Sequence, residues 1–321
     1  MNKAEIDQSN IISIAGAGNF ELKCRIWAAK YPRAALLIVH GMTEHSGRYH
    51  HFAKILKLNG FSVYAYDQRN HGLSVPAGQN LGAWPKKDSW KHVKQDLTCV
   101  YNVIESQNPG LPIFVFGHSM GSIVTMGTLQ DHLINPQWTI LSGYPSKPKV
   151  LVPLAKIFAS IFASERNELK AFPFQKIGIH LLANRFFKPR FTPFDWLSSD
   201  PVQVRYYIND PFCQMNCSWG FYTNLLEAID SVHQSKNIKK LDPNLNLLLL
   251  LGNQDSIAGF DKGIMHSLNE LRAHHRHPEF RIYPEGRHEL FADYTSDDFF
   301  EDLIAWMEGA LDVTKNQNGN Q

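Results

Sequence analysis

A serine flanked by glycines has the spacing of an enzymatic nucleophile. Residues 117–121 read Gly-His-Ser-Met-Gly and directly follow the apolar run Ile-Phe-Val-Phe. A G-x-S-x-G pattern between a strand and a helix is typical of a nucleophile elbow, a strained turn that exposes the serine hydroxyl. Apolar residues at helical spacing over 122–133 place Ser119 at a helix N-terminus, where the dipole favours a developing oxyanion. A chance match is the alternative, and the strand before and the helix after argue against it.

A serine hydroxyl is a weak nucleophile at neutral pH, so it needs a base and a group that orients the base. In enzymes with this elbow, an acid and then a histidine follow the serine along the chain. Asp255 comes just after the apolar run 247–251, and His288 follows the next predicted strand. We therefore expect Ser119, Asp255 and His288 to form a catalytic triad, with Asp261 as the alternative acid.

The oxyanion of an acyl-transfer reaction also needs backbone donors. The predicted strand 34–39 leads straight into His-Gly-Met-Thr-Glu-His-Ser-Gly-Arg at 40–48. A turn at the opening His-Gly would aim the amide of Met42 inward, opposite the amide of Met120. These two N–H groups are the predicted oxyanion hole.

The elements that position these residues are read from hydrophobic periodicity. Unbroken apolar strands alternate with helical patterns, which predicts an α/β fold with a mostly parallel sheet covered by helices on both faces. A β-hairpin over 11–28, turned at 16–19, opens the chain. The later strands are predicted at 34–39, 61–66, 113–116, 138–141, 245–251 and 280–283, and the helices at 50–59, 88–106, 122–133, 261–274 and 297–311.

The alternation stops near Gly143 and resumes about a hundred residues later, which predicts a helical cap inserted after the sixth strand. Residues 145–200 hold nine Lys or Arg, four Asp or Glu, and eight of the chain's twenty phenylalanines. We expect a cap that receives an apolar substrate and touches anionic membrane surfaces transiently; the alternative is that the aromatics only pack the cap onto the core. The predicted parts are an N-terminal polar extension (1–10), an α/β core (11–144 and 236–312), the cap (145–235) and a disordered tail (313–321).

Composition excludes several classes of protein. The chain has 321 residues and a formal net charge of +2, which gives no reason to expect nucleic-acid binding. The polar segment 1–10 lacks the features of a secretory signal, so we expect a cytoplasmic protein. The most apolar stretch, 150–162, is broken by a proline and a lysine, and a membrane span needs ~18 consecutive apolar residues.

No metal or cofactor is predicted. The cysteines, Cys24, Cys99, Cys213 and Cys217, are scattered and are predicted to be free, buried thiols. The last two could share one face of a helix, but a metal site there lacks further ligands at close spacing. The His-His-Arg-His run at 274–277 is expected to cap a helix end rather than bind a metal. The Gly-Ala-Gly at 16–18 lies in a hairpin turn, which argues against a nucleotide loop.

Three runs together resemble the monoacylglycerol lipase and lysophospholipase group of the α/β-hydrolase family, a hydrolase domain of the serine aminopeptidase S33 type. They are residues 40–49, the serine motif, and Tyr-Asp-Gln-Arg-Asn-His-Gly-Leu-Ser at 66–74. The resemblance spans about residues 20–310 and is weakest across the cap. It implies the α/β-hydrolase fold, hydrolysis of single-chain fatty acyl esters without a metal or organic cofactor, and the same triad and amide donors. In the run 66–74 we expect Asp67, Arg69 and His71 to support the loop through an Asp–Arg pair.

The predicted function is a serine carboxylic ester hydrolase that cleaves monoacylglycerol or lysophospholipid through an acyl-serine intermediate. A serine aminopeptidase would need acidic groups at the mouth, whereas residues 145–200 of the cap have a net charge of +5, from nine basic and four acidic residues. A thioesterase or acyltransferase would use the same triad and stays open. Epoxide hydrolases and dehalogenases use an aspartate at the elbow. A catalytically inactive binding protein is the non-enzyme alternative, and the filled triad positions argue against it.

Overall fold

An eight-stranded sheet forms the centre of the molecule in the computed structural model, which describes residues 10–85, 87–147, 181–274 and 276–318. The strands are β1 (Asn10–Ala15), β2 (Glu21–Trp27), β3 (Ala34–Val39), β4 (Phe61–Tyr66), β5 (Ile113–His118), β6 (Trp138–Ser142), β7 (Asn246–Gly252) and β8 (Glu279–Tyr283). Their order across the sheet is β1-β2-β4-β3-β5-β6-β7-β8. The pairs β1–β2 and β2–β4 are antiparallel, and the pairs from β4 to β8 are parallel.

The parallel strands are buried on both faces because their sequences are apolar at nearly every position. All six residues of β3, Ala-Ala-Leu-Leu-Ile-Val, are buried. Successive side chains point to opposite faces of a strand, so Leu37 and Val39 join one hydrophobic core and Leu36 and Ile38 join the other. Such a strand cannot face water on either side, which is why helices cover both faces.

The helices are α1 (His50–Leu58), α2 (Ser89–Gln107), α3 (Met120–Gln130), α4 (Leu181–Asn184), α5 (Pro201–Asn209), α6 (Trp219–Val232), α7 (Ser235–Ile238), α8 (Phe260–Arg272) and α9 (Ser296–Asn318). Apolar residues of α2, α3, α6 and α8 pack in the first core. Those of α1 and α9 pack in the second. The predicted hairpin, the mostly parallel sheet and the helices on both faces are thereby confirmed.

The helix boundaries differ from the predicted ones, most of all at α3 and α9. α3 begins at Met120, directly after the serine, rather than at residue 122. α9 continues to Asn318 rather than ending at Leu311, and so enters the segment predicted as a disordered tail. No glycine or proline interrupts the sequence between Leu311 and Gly319, so nothing in it breaks the helix earlier.

The segment between β6 and β7 holds four of these helices, α4 to α7. Its described part has a small hydrophobic core of its own, which includes Phe187, Phe194, Trp196, Val204 and Tyr207. Residues 148–180, including the whole apolar stretch 150–162, lie outside the described residues. The cap boundaries therefore stay a prediction.

The four cysteines are free, and three of them are buried, while Cys99 is half-buried. Cys213 and Cys217 lie in the loop between α5 and α6, so the expectation that they share a helical face is wrong. Asp210 begins this loop, and its carboxylate accepts the Phe212 amide at 2.8 Å, which holds the chain in a turn there. None of the described helices has both the length and the hydrophobicity needed to cross a bilayer.

Candidate active site

The predicted elbow is a sharp turn between β5 and α3. Ser119 has φ 52° and ψ −119°, a strained backbone for a residue other than glycine. Its amide donates to Ser142 O at 2.9 Å. A Cβ on Gly117 would lie 2.8 Å from Gly121 O, and one on Gly121 would lie 1.9 Å from Val39 O. Both glycines are therefore required by the close approach of neighbouring backbone.

The structure brings the three predicted triad residues together. Ser119 Oγ lies 2.8 Å from His288 Nε2, and His288 Nδ1 lies 2.8 Å from Asp255 Oδ2. A carboxylate only accepts hydrogen bonds, so Nδ1–H donates to it and Nε2 is free to accept the serine proton. Asp255 follows β7 and His288 follows β8, two strands that pair directly. The alternative acid, Asp261, is exposed in the first turn of α8.

Burial and the charge of Asp255 have opposite effects on the pKa of His288. His288 is 2% exposed and Asp255 is fully buried. Burial lowers the pKa of His288, but the charge of Asp255 and its hydrogen bond raise it, and the net pKa lies above the ordinary value. Asp255 Oδ1 accepts the amides of Ile257 at 2.8 Å and Ala258 at 3.1 Å. Those two bonds leave Oδ2 to face the imidazole.

The loop that carries His288 rests on the segment between β6 and β7. The Trp196 ring centroid lies 5.1 Å from that of His288. The amide of Glu289, directly after the histidine, donates to Leu197 O at 2.8 Å. The side chain of Arg287, directly before it, donates to Ser198 O at 2.9 Å. On the other side lies the His118 ring, at 5.0 Å, and burial holds the pKa of His118 well below its ordinary value, so it packs as a neutral ring.

Both predicted oxyanion donors, Met42 and Met120, line the same cavity as Ser119. The Gly41 amide donates to Glu44 Oε1 at 2.5 Å, which fixes the turn just before Met42. A Cβ on Gly41 would lie 3.2 Å from the Cβ of Ser119. This backbone therefore lies against the nucleophile, where an amide donor for the oxyanion is needed.

Sequence reasoning missed an ion cluster behind the site. The guanidinium of Arg48 donates to both carboxylate oxygens of Glu289 at 2.7 Å and to Glu44 at 2.8 Å. The Tyr49 hydroxyl donates to Glu44 at 3.1 Å. The cluster joins the loop after β3 to the residue beside the base. Glu44 and Arg48 have the i,i+4 spacing of a local pair, but nothing in the sequence indicated the contact with a residue 241 positions away.

The predicted Asp67–Arg69 pair is wrong. Arg69 instead forms a bidentate pair with Asp96 of α2, with both distances 2.9 Å. Asp67 is not available, because its two oxygens accept backbone amides from two loops at 2.7 Å. His71 does support the loop: its Nδ1 bonds Arg69 O at 3.0 Å, and burial lowers the pKa of this histidine to about 3.

An apolar cavity of about 410 Å³ opens over Ser119. The segment between β6 and β7 contributes Leu182, Ala183, Tyr222, Leu225, Leu226 and Ile229 to its wall. Ala183 and Leu225 in this wall are buried, whereas Phe186, which also lines the cavity, is 51% exposed, so the cavity mouth lies beside it. A cavity of this size and lining can hold one small apolar ligand.

One group among the described residues has metal-ligand character. Donor atoms of His45, Asp210 and Cys213 lie within 4.8 Å of one another. His45 Nε2 already bonds Asp210 at 2.9 Å and its Nδ1 accepts the Gly47 amide. Burial raises the pKa of the Cys213 thiol well above its ordinary value, and metals bind the thiolate. The group is therefore a hydrogen-bonded contact between the loop after β3 and the loop after α5.

Known proteins resemble this chain over nearly its full length. A family model described as serine aminopeptidase, S33, matches residues 30–295. The monoacylglycerol lipase of Mycolicibacterium smegmatis (strain ATCC 700084 / mc(2)155) is 24% identical over 305 residues, which covers 93% of this chain and 97% of that protein. The Homo sapiens monoglyceride lipase is 26% identical over 316 residues, which covers 94% and 91%.

A solved structure has the same architecture. The thermostable carboxyl esterase of Bacillus coagulans, crystallised in complex with glycerol, superposes with a TM-score of 0.83 and 26% sequence identity. The match covers 94% of this chain and 99% of that one. This chain and that esterase therefore share the fold over most of their lengths.

Proposed function

The chain belongs to the serine aminopeptidase S33 family of α/β-hydrolases, and from that premise we propose that it is a serine carboxylic ester hydrolase acting on single-chain lipid esters. One observation carries the proposal. The hydroxyl of Ser119 lies 2.8 Å from a buried imidazole and opens into an apolar cavity of about 410 Å³. An activated nucleophile in an apolar cavity fits an ester with one acyl chain.

Acylation of the serine is the first half of the reaction. His288 Nε2 takes the proton of Ser119 Oγ while the oxygen attacks the ester carbonyl, and the carbonyl oxygen becomes an oxyanion facing the amides of Met42 and Met120. His288 then gives the proton to the leaving alcohol oxygen, and an acyl-serine remains. Asp255 holds the imidazole in the tautomer that accepts at Nε2 and stabilises the imidazolium.

Hydrolysis of the acyl-serine is the second half. Water attacks the acyl carbonyl while His288 takes its proton, and the same two amides face the second oxyanion. Collapse of that intermediate breaks the bond to Ser119 Oγ, which recovers its proton from His288. The products are a fatty acid and free enzyme, and no cofactor enters the balance.

The substrate class proposed is monoacylglycerol or lysophospholipid. The cavity wall is built mainly from aliphatic and aromatic side chains, which suits a fatty acyl chain. The names of the bacterial and human relatives, monoacylglycerol lipase and monoglyceride lipase, agree with this choice.

An aminopeptidase would need a carboxylate to hold the substrate ammonium group. Among the described residues that line the cavity, none is Asp or Glu, and the one charged side chain is Arg185. A cation repels an ammonium group, so this mouth disfavours a peptide with a free N-terminus. We therefore prefer the ester to the peptide as substrate.

We further propose that the protein is cytoplasmic and contacts a membrane surface transiently. Phe186, which lines the cavity, and Phe191, five residues further along the chain, are 51% and 81% exposed. Lys188 and Arg190 are exposed between them. Exposed rings beside cations suit the interface of an anionic bilayer.

Fatty acid release from p-nitrophenyl esters, thioesters and monoacylglycerols would test this function in wild type and Ser119→Ala. We expect the variant to lose all of these activities and to lose labelling by a fluorophosphonate. Ser106→Ala is the matched control, because Ser106 is exposed and its hydroxyl bonds only within α2, to Val103 O at 2.8 Å. A wild type that neither labels nor cleaves any ester would return the chain to the binding-protein alternative.

A further inference from the structure

The mouth of the cavity carries a cation, Arg185, for which the described residues supply no carboxylate partner. Arg185, which follows α4, is exposed and is the one charged side chain among the described lining residues. Its guanidinium lies over the Phe186 ring, 4.5 Å from the centroid. In the described parts of the chain, no Asp or Glu lies within ion-pair distance of it. Within the described part of the chain, the donors of this side chain are therefore available to an anion.

A continuous wall leads from this cation to the triad. The Phe186 ring packs edge-on against Phe260, with the centroids 4.9 Å apart. The Phe260 amide donates to Asp255 O at 2.9 Å. Ser256 directly follows Asp255 in the sequence and lines the cavity. Its buried Oγ has no hydrogen-bond partner within the described residues. An oxygen of a bound ligand would satisfy this hydroxyl.

The remainder of the wall has a different character. Leu225, Leu226 and Ile229 of α6 line it with aliphatic carbon, so the acyl chain packs there. The alcohol portion of the ester then faces the wall that carries Ser256 and Arg185.

We propose that Arg185 binds a negatively charged phosphate on the alcohol portion of the substrate, so that the enzyme prefers a lysophospholipid to the monoacylglycerol with the same acyl chain. This inference rests on the proposed function. The planar guanidinium matches phosphate oxygens with two parallel N–H donors. Ser256 Oγ would donate to an oxygen of the glycerol unit, closer to the scissile bond.

The test compares kcat/KM for lysophosphatidate, lysophosphatidylcholine and monoacylglycerol with one acyl chain. Arg185→Gln should lower kcat/KM about tenfold for both phosphate esters, the order expected for one charge-assisted contact at an exposed site. It should leave the neutral ester within twofold. Arg205→Gln is the matched control, because Arg205 is exposed on α5 in the same segment and does not line the cavity.

Binding separates this inference from the proposed function. In a Ser119→Ala background, which cannot turn over, Arg185→Gln should weaken lysophosphatidate binding about tenfold and leave monoacylglycerol binding unchanged. Equal losses for the charged and the neutral ester, or no loss for either, would overturn the phosphate role while leaving the hydrolase intact. If the wild type hydrolysed none of these esters but still bound lysophosphatidate in a way that depends on Arg185, only the proposed function would be overturned.

Discussion

The two carboxylate oxygens of Asp255 have different partners, so replacing this residue with asparagine tests its role. Oδ1 accepts two backbone amides and Oδ2 faces His288 Nδ1. In Asp255→Asn the side-chain oxygen stays with the backbone amides, so its NH₂ group meets Nδ1 and forces the wrong tautomer. We expect kcat to fall about 10³- to 10⁴-fold with little change in stability.

Asp261→Asn is the control for this variant, because Asp261 is the other candidate acid and is exposed on α8. It should keep wild-type kcat within twofold. A large loss in Asp261→Asn together with an active Asp255→Asn would transfer the acid role to α8. Steady-state hydrolysis of a p-nitrophenyl ester measures both variants.

The raised pKa of His288 predicts the acid limb of the pH profile. The base acts only when neutral, so kcat/KM falls as pH drops through its pKa. That pKa lies above the ordinary 6.5, because Asp255 outweighs the effect of burial, and the limb should therefore lie above pH 6.5. In Asp255→Asn burial remains and the charge is lost, so the residual activity should show its limb at lower pH. A limb that does not move would contradict the electrostatic role of Asp255.

At the scale of elements, the ion cluster connects two loops that must keep their positions. Arg48 is the cation between the buried carboxylates of Glu44 and Glu289. Arg48→Met would leave both without their partner, at a cost of about 3–5 kcal/mol. Denaturant unfolding should record that loss in the free energy of unfolding. The double variant Arg48→Met/Glu289→Leu should recover part of it, whereas an unchanged single variant would show that the cluster contributes no stability.

Two helical glycines offer a matched test of how tightly α3 packs on β3. A Cβ on Gly121 would lie 1.9 Å from Val39 O, whereas a Cβ on Gly309 of α9 meets nothing within 4 Å. Gly121→Ala should displace the elbow helix and abolish soluble, active protein. Gly309→Ala should raise the free energy of unfolding by about 0.5–1 kcal/mol, since alanine is the better helix former. Normal activity in Gly121→Ala would refute the close contact.

At the scale of the whole molecule, cavity size limits the acyl chain. A volume of about 410 Å³ holds roughly fourteen methylene-sized groups if each takes the ~30 Å³ of a liquid water molecule, and the acyl chain shares it with the alcohol portion of the ester. Each buried CH₂ contributes ~0.8 kcal/mol, so kcat/KM should rise up to about fourfold per methylene and level off at or below about twelve carbons. Leu226→Trp should shift the best chain to fewer carbons. Equal rates on acetyl and dodecanoyl esters would contradict an acyl role for this cavity.

The sequence predicted those parts of the molecule that depend on local pattern. Apolar runs located the parallel strands, and the glycines around Ser119 located the elbow. Chain order then led to Asp255 and His288, which lie 2.8 Å apart. Long-range pairs have no local signal: the sequence did not predict that Arg69 pairs with Asp96 or Arg48 with Glu289. Such partners are chosen by the folded arrangement of loops.

Both neighbours of His288 donate to the segment beyond β6: the Glu289 amide donates to Leu197 O and the Arg287 side chain to Ser198 O. These bonds affect how the enzyme can be re-engineered. Residues 195–198 hold the catalytic base in place as well as belonging to the segment beyond β6. A chimera that exchanges this whole segment with that of a relative would replace the support of the histidine along with the specificity of the cavity. Grafts that keep residues 194–199 native should retain turnover, and grafts that replace them should fold yet turn over slowly.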